Sequence, residues 1–261
     1  MELDKRYAPI AVVDSGVGGI SVLIELLRIM PGENYIYFGD SANAPYGTKT
    51  HAEVLDIMLE NTEKLLALGA KAIVVACNTA TGAAVREMRS RYPDVPIVGI
   101  EPAIKPALKV CEHPAVLVMA TPLTLSEEKF RLLKERFESD GKIIPLPCPG
   151  LMEIIESGET SGERVDAYLE RLFVDIDKES IDAVVLGCTH YPFIKDAVQK
   201  YFGDKVAVLD GGNGTAREAR RRIIEAGLEN PGDKDTKTEY ISTGNDDGMI
   251  ELCKKLVNEK L

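Results

Sequence analysis

Two cysteines, Cys77 and Cys188, stand in matching local sequences and are the residues whose type and setting could do chemistry. Lys71-Ala72-Ile73-Val74-Val75-Ala76-Cys77-Asn78-Thr79 resembles Asp182-Ala183-Val184-Val185-Leu186-Gly187-Cys188-Thr189-His190. Each reads as a buried strand, one small residue, a Cys, and small polar residues leading toward a helix. A free thiol titrates at about 8.5, nearer neutrality than most side chains, and helix N-terminal donors or a protonated His lower that value. A single such Cys is ordinarily an inert core thiol; two in matching positions point to function. Inverting a stereocentre by deprotonation needs a base on one face of the carbon and an acid on the other. One thiolate and one thiol meet that need. A hydrolase using Cys188 as nucleophile and His190 as base employs one Cys and leaves the other unexplained. Two thiols brought close could also form a disulfide, or share a metal, though neither Cys has another soft ligand near it in sequence to complete a metal site. A non-catalytic amino-acid binder is the remaining alternative.

Each thiol has a candidate helper. His190, two residues after Cys188, is placed to orient or activate it. Asp14 would serve Cys77 if the first and third strands are neighbours. Asp14 opens the loop Asp14-Ser15-Gly16-Val17-Gly18-Gly19, between the first strand and a helix starting near Ile20. Glycines there permit tight turning, and helix N-terminal N–H groups attract a carboxylate or phosphate. Ser21 stands where a dinucleotide fingerprint needs its last glycine, and no Gly-Lys-Ser/Thr follows. The plain structural alternative is a βα turn with Asp14 capping the helix. A second loop, Gly39 to Gly47, follows the second strand; there Tyr46 offers a hydroxyl and Gly47 an unshielded N–H. It too could be a simple connection.

The elements that must position these residues read as short Val- and Ile-rich strands alternating with amphipathic helices. Strands are expected at Ile10–Val13, Tyr35–Phe38, Ala72–Ala76, Ile97–Ile100, Ala115–Met119, Ile143–Leu146, Ala183–Leu186 and Val206–Leu209. Helices are expected at Ala52–Leu68 and Ser126–Phe137, opened by capping boxes Thr50/Glu53 and Thr124/Glu127. The class is α/β: two pseudo-symmetric domains, each a mostly parallel sheet flanked by helices, with the active site between them. The matching Cys strands imply two halves, and a boundary near Pro96–Pro102 with the chain crossing back near Gly211–Gly214 gives one domain at 1–97 plus 210–261 and the other at 98–209. Ligands bind at the C-terminal ends of strands in such sheets, where both Cys would lie.

Composition narrows the function classes. The chain has 261 residues, 45% hydrophobic and 28% charged, as expected of a globular protein with a sizeable core. Its net charge of −11 disfavours nucleic acid or an anionic membrane as partner. The one basic cluster, Arg217 with Arg220, Arg221 and Arg222, reads as a solvated helix face. No signal peptide or apolar span is expected, so the cytoplasm is the default. The five cysteines lack disulfide or zinc-finger spacing and are expected to be reduced. An exposed apolar surface on one half would favour a homodimer.

At this point the chain resembles the glutamate racemases along nearly its whole length. The resemblance rests on Asp14-Ser15-Gly16-Val17-Gly18-Gly19, Pro45-Tyr46-Gly47, Ala76-Cys77-Asn78-Thr79-Ala80, Cys148-Pro149-Gly150 and Gly187-Cys188-Thr189-His190-Tyr191-Pro192, in that order. It implies interconversion of L- and D-glutamate without pyridoxal phosphate, other cofactor or metal, supplying D-glutamate for peptidoglycan. It assigns α-proton transfer to Cys77 and Cys188, assisted by Asp14 and His190. It assigns substrate binding to Asp14, Ser15, Pro45, Tyr46, Gly47, Asn78, Thr79, Thr121, Thr189, His190 and Glu156. Met152 and Glu153 stand where the family often has Val and Pro. These motifs carry no fixed cation for a substrate with two carboxylates, so backbone N–H groups must replace one.

Overall fold

The computed structural model describes residues 4–126, 128–232, 235–244 and 247–261. Along the chain run β1 (Ile10–Asp14), α1 (Ile20–Ile29), β2 (Tyr35–Gly39), α2 (His51–Ala67), β3 (Ala72–Val75), α3 (Asn78–Arg91), β4 (Ile97–Gly99), α4 (Ile104–Ala107), β5 (Ala115–Ala120), α5 (Pro122–Ser126), α6 (Glu128–Arg136), β6 (Lys142–Pro147), α7 (Leu151–Glu156), α8 (Glu163–Leu172), β7 (Ala183–Leu186), α9 (Lys195–Phe202), β8 (Ala207–Asp210), α10 (Gly212–Glu225), β9 (Thr238–Ser242) and α11 (Asp247–Lys260). The chain divides into two compact units, residues 1–100 with 212–261, and residues 101–211.

The first unit holds one sheet in the order β4-β3-β1-β2-β9, every pairing parallel. Strands β1, β2 and β3 are buried at every position. Unbroken burial is what a parallel strand shows when helices cover both faces, and it explains why these runs are apolar or aromatic without polar alternation. Each fully buried Val or Ile side chain contributes about 1.5–3 kcal/mol. Helix α2 starts at the expected capping box: Thr50 Oγ1 accepts from Glu53 N, and the Glu53 carboxylate accepts from Thr50 N at 2.8 Å.

The second unit holds a sheet in the order β6-β5-β7-β8, again parallel throughout. Its core gathers Ile104, Val116, Val118, Phe130, Ile143 and Val185. Omitting edge strand β9, the two sheets share one topology, β2-β1-β3-β4 and β6-β5-β7-β8. The expected α/β class, two parallel sheets flanked by helices, is therefore what forms.

Three expectations need correction. Strand β9 was not foreseen; it is a five-residue, half-exposed edge strand whose sequence, Thr238-Glu239-Tyr240-Ile241-Ser242, lacks the unbroken apolar run of the interior strands. The helix expected at Ser126–Phe137 opens earlier, at Pro122: the described residues on either side of Glu127 are helical, Pro122–Ser126 as α5 and Glu128–Arg136 as α6. Thr124 does not open this helix but lies buried within it. Its N–H donates to Thr121 Oγ1 at 3.2 Å, so Thr121 does the capping. The other half of that expected box, Glu127, lies outside the described residues.

One ion pair ties the N-terminal edge of the first sheet together. Lys71 Nζ lies 2.5 Å from Glu33 Oε2, with both side chains almost fully buried, and donates to Arg6 O. Glu33 Oε1 also accepts from Asn230 N at 2.9 Å. Removing one partner strands a buried charge, so Lys71→Met is expected to cost about 3–5 kcal/mol. Urea unfolding followed by circular dichroism checks this, and a loss below about 1 kcal/mol would show the pair to be dispensable.

Candidate active site

In the first unit the chain leaves β1 and β3 toward opposite sides, because β2 lies beyond β1 and β4 beyond β3. Such a reversal leaves a crevice at the strands' C-terminal ends. Asp14 closes β1 and Cys77 follows β3, and the pairing of Val13 with Val75 brings these ends side by side. Asp14 thus sits beside the Cys77 segment. It does not cap α1, whose N-cap is Gly19. Its Oδ1 accepts from Gly16 N at 3.0 Å and braces its own loop, and Tyr37 Oη donates to Gly16 O at 2.6 Å. A Cβ on Gly19 would fall 2.6 Å from Asp14 Cβ and 3.0 Å from Ala76 Cβ. Only glycine lets the helix start so close to both strand ends.

Cys77 is the N-cap of α3, and its sulfur accepts from Ala80 N at 3.4 Å. A backbone donor and the positive end of a helix both favour the thiolate form. Asn78 and Thr79, in the first turn of α3, are buried, and Asn78 Oδ1 is buried with no hydrogen-bond partner. A buried acceptor left without a donor costs about 1–3 kcal/mol, which a donor-bearing ligand would recover. Ser15 is buried in the neighbouring loop.

The loop after β2 carries Pro45, Tyr46 and Gly47. The Tyr46 hydroxyl, expected to be offered at the rim, is instead buried and donates to Asp40 Oδ2 at 2.6 Å. Burial pushes its pKa far above the ordinary tyrosine value, with the Asp40 hydrogen bond and charge adding to it, then Cys77 and Asp14. Asp40 also accepts from Asn61 Nδ2 at 2.9 Å, Asn43 Nδ2 at 3.1 Å and Thr243 Oγ1 at 2.7 Å. Burial alone would raise the Asp40 pKa, but these hydrogen bonds together hold it below the usual carboxylate value.

The second unit repeats the arrangement with different side chains. Gly187 N donates to Met119 O at 2.7 Å just as Ala76 N donates to Val13 O at 2.8 Å, which makes Cys188 the counterpart of Cys77. A Cβ on Gly187 would fall 2.7 Å from Met119 O, so no larger residue fits before this thiol. Cys188 Sγ lies 3.7 Å from His190 Nδ1, and His190 Nε2 lies 3.0 Å from Glu156 Oε1. With its proton on Nε2 donated to Glu156, the imidazole leaves Nδ1 to accept the Cys188 proton. Glu156 ends α7 with its side chain about one-third exposed, and His190 is buried. Thr189 is buried beside them, and Thr121 follows β5 at a place equivalent to Ser15 after β1.

Sequence reasoning assigned no role to Asp40, Asn61 or the Cys148 thiol. Asn61 carried a signal, a polar residue among the buried positions of α2. Cys148 N donates to Ala120 O at 3.0 Å, as Asp40 N donates to Asp14 O at 2.9 Å, so Cys148 is the counterpart of Asp40. Its thiol is pushed up to about 12 by burial and then by the neighbouring Cys188. The first half therefore sets one carboxylate, Asp14, beside its thiol, with Asp40 beyond it at the end of β2, and the second has a histidine–carboxylate pair and an apolar Ala120.

Residues 15–219 match the model of the Asp/Glu/hydantoin racemases. The chain belongs to that family. It is thereby an isomerase of the racemase class. It is 49% identical over 261 residues, the whole of both chains, to a glutamate racemase of Clostridium perfringens. It is also similar to the glutamate racemase of Francisella tularensis solved with D-glutamate, at 27% identity and TM-score 0.84 over 97% of this chain and 94% of that one. The Escherichia coli glutamate racemase solved with L-glutamate and the activator UDP-MurNAc-Ala gives 28% identity and TM-score 0.82, over 97% and 95%.

The thiols differ in reactivity in a way that labelling will show. Cys111 is exposed, whereas Cys148 and Cys253 are buried with values pushed up to about 12. A raised thiol pKa keeps the unreactive protonated form; the Cys111 value is raised too, by desolvation and then by Asp182, so its exposure is what sets it apart. In folded protein at about pH 7.5 to 9, iodoacetamide is expected to modify Cys111 and spare Cys148 and Cys253 until denaturant is added. Peptide mass spectrometry checks it; equal labelling of all three before unfolding would overturn the assignment.

Proposed function

We propose that this chain interconverts L- and D-glutamate by two-thiol proton transfer, with no pyridoxal phosphate, other cofactor or metal. The observation that carries the reading is the pair of thiols at equivalent strand ends, each with its own helper: Asp14 in the neighbouring strand for Cys77, His190 for Cys188. Glutamate is named by relatives that share the full length of the chain. Inversion requires the thiols to approach Cα from opposite faces. One thiolate removes the α-proton, leaving a carbanion, and the opposite thiol delivers its proton to the other face. Turnover in one direction leaves the protonation states exchanged, ready for the reverse direction.

The remaining polar groups suit an amino acid. Asn78 Oδ1, without a protein donor, is available to the α-ammonium group. We assign the carboxylates to backbone N–H groups of the Ser15–Gly18 loop, apart from Gly16, whose N–H goes to Asp14 Oδ1, and of Tyr46–Gly47, Asn78–Thr79 and Thr189–His190. Thr121 is one more hydroxyl near a strand end. Glu156 acts through His190, holding the tautomer that leaves Nδ1 facing the thiol. We place the activity in the cytoplasm, as a source of D-glutamate for peptidoglycan. None of the five cysteines is in a disulfide, which fits a reducing compartment. No helix among the described residues is long and apolar enough to cross a membrane.

The deciding test is incubation of metal-stripped protein with D-glutamate in D₂O, with no cofactor, following ellipticity and α-deuterium together. Loss of ellipticity with solvent deuterium at Cα is expected, and abolition of racemisation in Cys77→Ala and in Cys188→Ala. Absence of exchange with either enantiomer in folded protein sinks the glutamate assignment, and a variant lacking one Cys that still racemises sinks the two-thiol mechanism. A covalent adduct on Cys188 with Cys77 dispensable would favour a hydrolase. Glu156→Gln is expected to lower kcat/KM by roughly tenfold. The loss must be equal from L- and from D-glutamate, because enantiomers have an equilibrium constant of one. A wild-type value in Glu156→Gln would remove Glu156 from the mechanism.

A further inference from the structure

The strand not foreseen from sequence is fastened to the rim loop of the first unit. Residue Thr243, just past β9, donates from Oγ1 to Asp40 Oδ1 at 2.7 Å and accepts from Ala42 N at 3.1 Å. Its own N–H donates to Gly39 O at 3.1 Å. Ser242 Oγ lies 2.7 Å from Ser41 Oγ, and Gly244 N donates to Ser41 Oγ at 3.0 Å. A Cβ on Gly244 would meet Ser41 Oγ at 2.6 Å, so the turn sits as close to the loop as glycine allows. The carboxylate that receives Thr243 is the one that receives Tyr46 Oη and Asn61 Nδ2. One buried charge, met by neutral donors, thus joins the end of β9 to the segment carrying Tyr46 and Gly47. All of β9 lies outside the residues 15–219 matched by the family model.

We infer that Thr243 and Asp40 form a clamp by which the C-terminal segment positions the Tyr46–Gly47 backbone for substrate binding. Both are positioning residues, acting through the loop and not on the reacting carbon. This rests on the glutamate reading for its kinetic consequence, but not for its structural one. A charge-assisted hydrogen bond is roughly twice as strong as a neutral one. Losing it loosens a loop that contacts ground state and transition state alike, which raises KM and leaves kcat in place.

The test compares Thr243→Val, which keeps shape and loses the hydroxyl, with Thr243→Ser, which keeps the hydroxyl. In wild type and both variants, amide hydrogen exchange over residues 41–48 is measured beside racemisation kinetics. Thr243→Val is expected to speed exchange in that loop, with roughly a tenfold rise in KM for both enantiomers and kcat within about twofold. Thr243→Ser is expected to behave as wild type in both readouts. Adding Thr243→Val to Asp40→Asn is expected to change KM by less than about twofold, because the acceptor is already impaired. Unchanged loop exchange in Thr243→Val overturns the clamp whatever the substrate is. Faster exchange with unchanged KM, a fall in kcat alone, or equal impairment of the Ser and Val variants overturns the positioning role. An inactive wild type sinks the glutamate reading instead, and the exchange measurement still decides the clamp.

Discussion

The rest of the structure depends on one topological constraint, the reversal of chain direction around a central parallel strand. Strand β1 has β2 on one side and β3 on the other, and β5 has β6 and β7 in the same places. Both central strands are buried among hydrophobic residues, so their backbone polar groups are consumed by the ladder. Only beyond the strand ends do N–H groups, thiols and carboxylates become available for other work. The crevice at each reversal collects them. The glycines at 19 and 187 follow from this crowding, because helices and loops must start almost in contact with neighbouring strand ends.

Given two copies of one frame, the side chains hung on it explain why the halves differ. Ala76 and Gly187 make matching backbone hydrogen bonds, and Cys77 and Cys188 follow them. Beside Cys77 the frame holds Asp14, with Asp40 beyond it at the end of β2, both buried acids. Around Cys188 it holds His190, with Glu156 behind it, and the high-pKa thiol of Cys148. A carboxylate beside a thiol opposes ionisation, whereas a helix N-terminal donor supports it, and Cys77 has both. A histidine can take the proton outright. Two thiols of one chemistry thus stand in two different surroundings.

Polar groups under burial carry the unit's specificity of shape. Asp40 is almost fully buried yet draws in Tyr46, Asn43, Asn61 and Thr243, linking loop, helix and edge strand in one network. At the opposite edge of the same sheet, Lys71 and Glu33 join the segments that lead into β1, β2 and β3. Such networks fix which loop conformation accompanies the sheet, because each donor or acceptor left alone in the interior is costly.

The sequence alone determined the class, the interior strands and the two thiols. Continuous apolar runs are stable where both faces are covered, as in β1, β2, β3 and β7, and shorter apolar runs with the turns that bound them marked the other four of the eight foreseen strands. The repeated strand-small-Cys pattern exposed the internal relationship because it is a local feature carried twice. What it left to tertiary structure was every contact between residues distant in the chain. The direction of the Tyr46 hydroxyl, the approach of Glu156 to His190 and the seat of Thr243 on Asp40 each join separate elements. Strand β9 belongs with them: its half-exposed residues carry little hydrophobic signal, and pairing with β2 is what makes it a strand. Local patterns record burial, but partners are chosen only when the chain has folded and distant groups compete for the same buried acceptor.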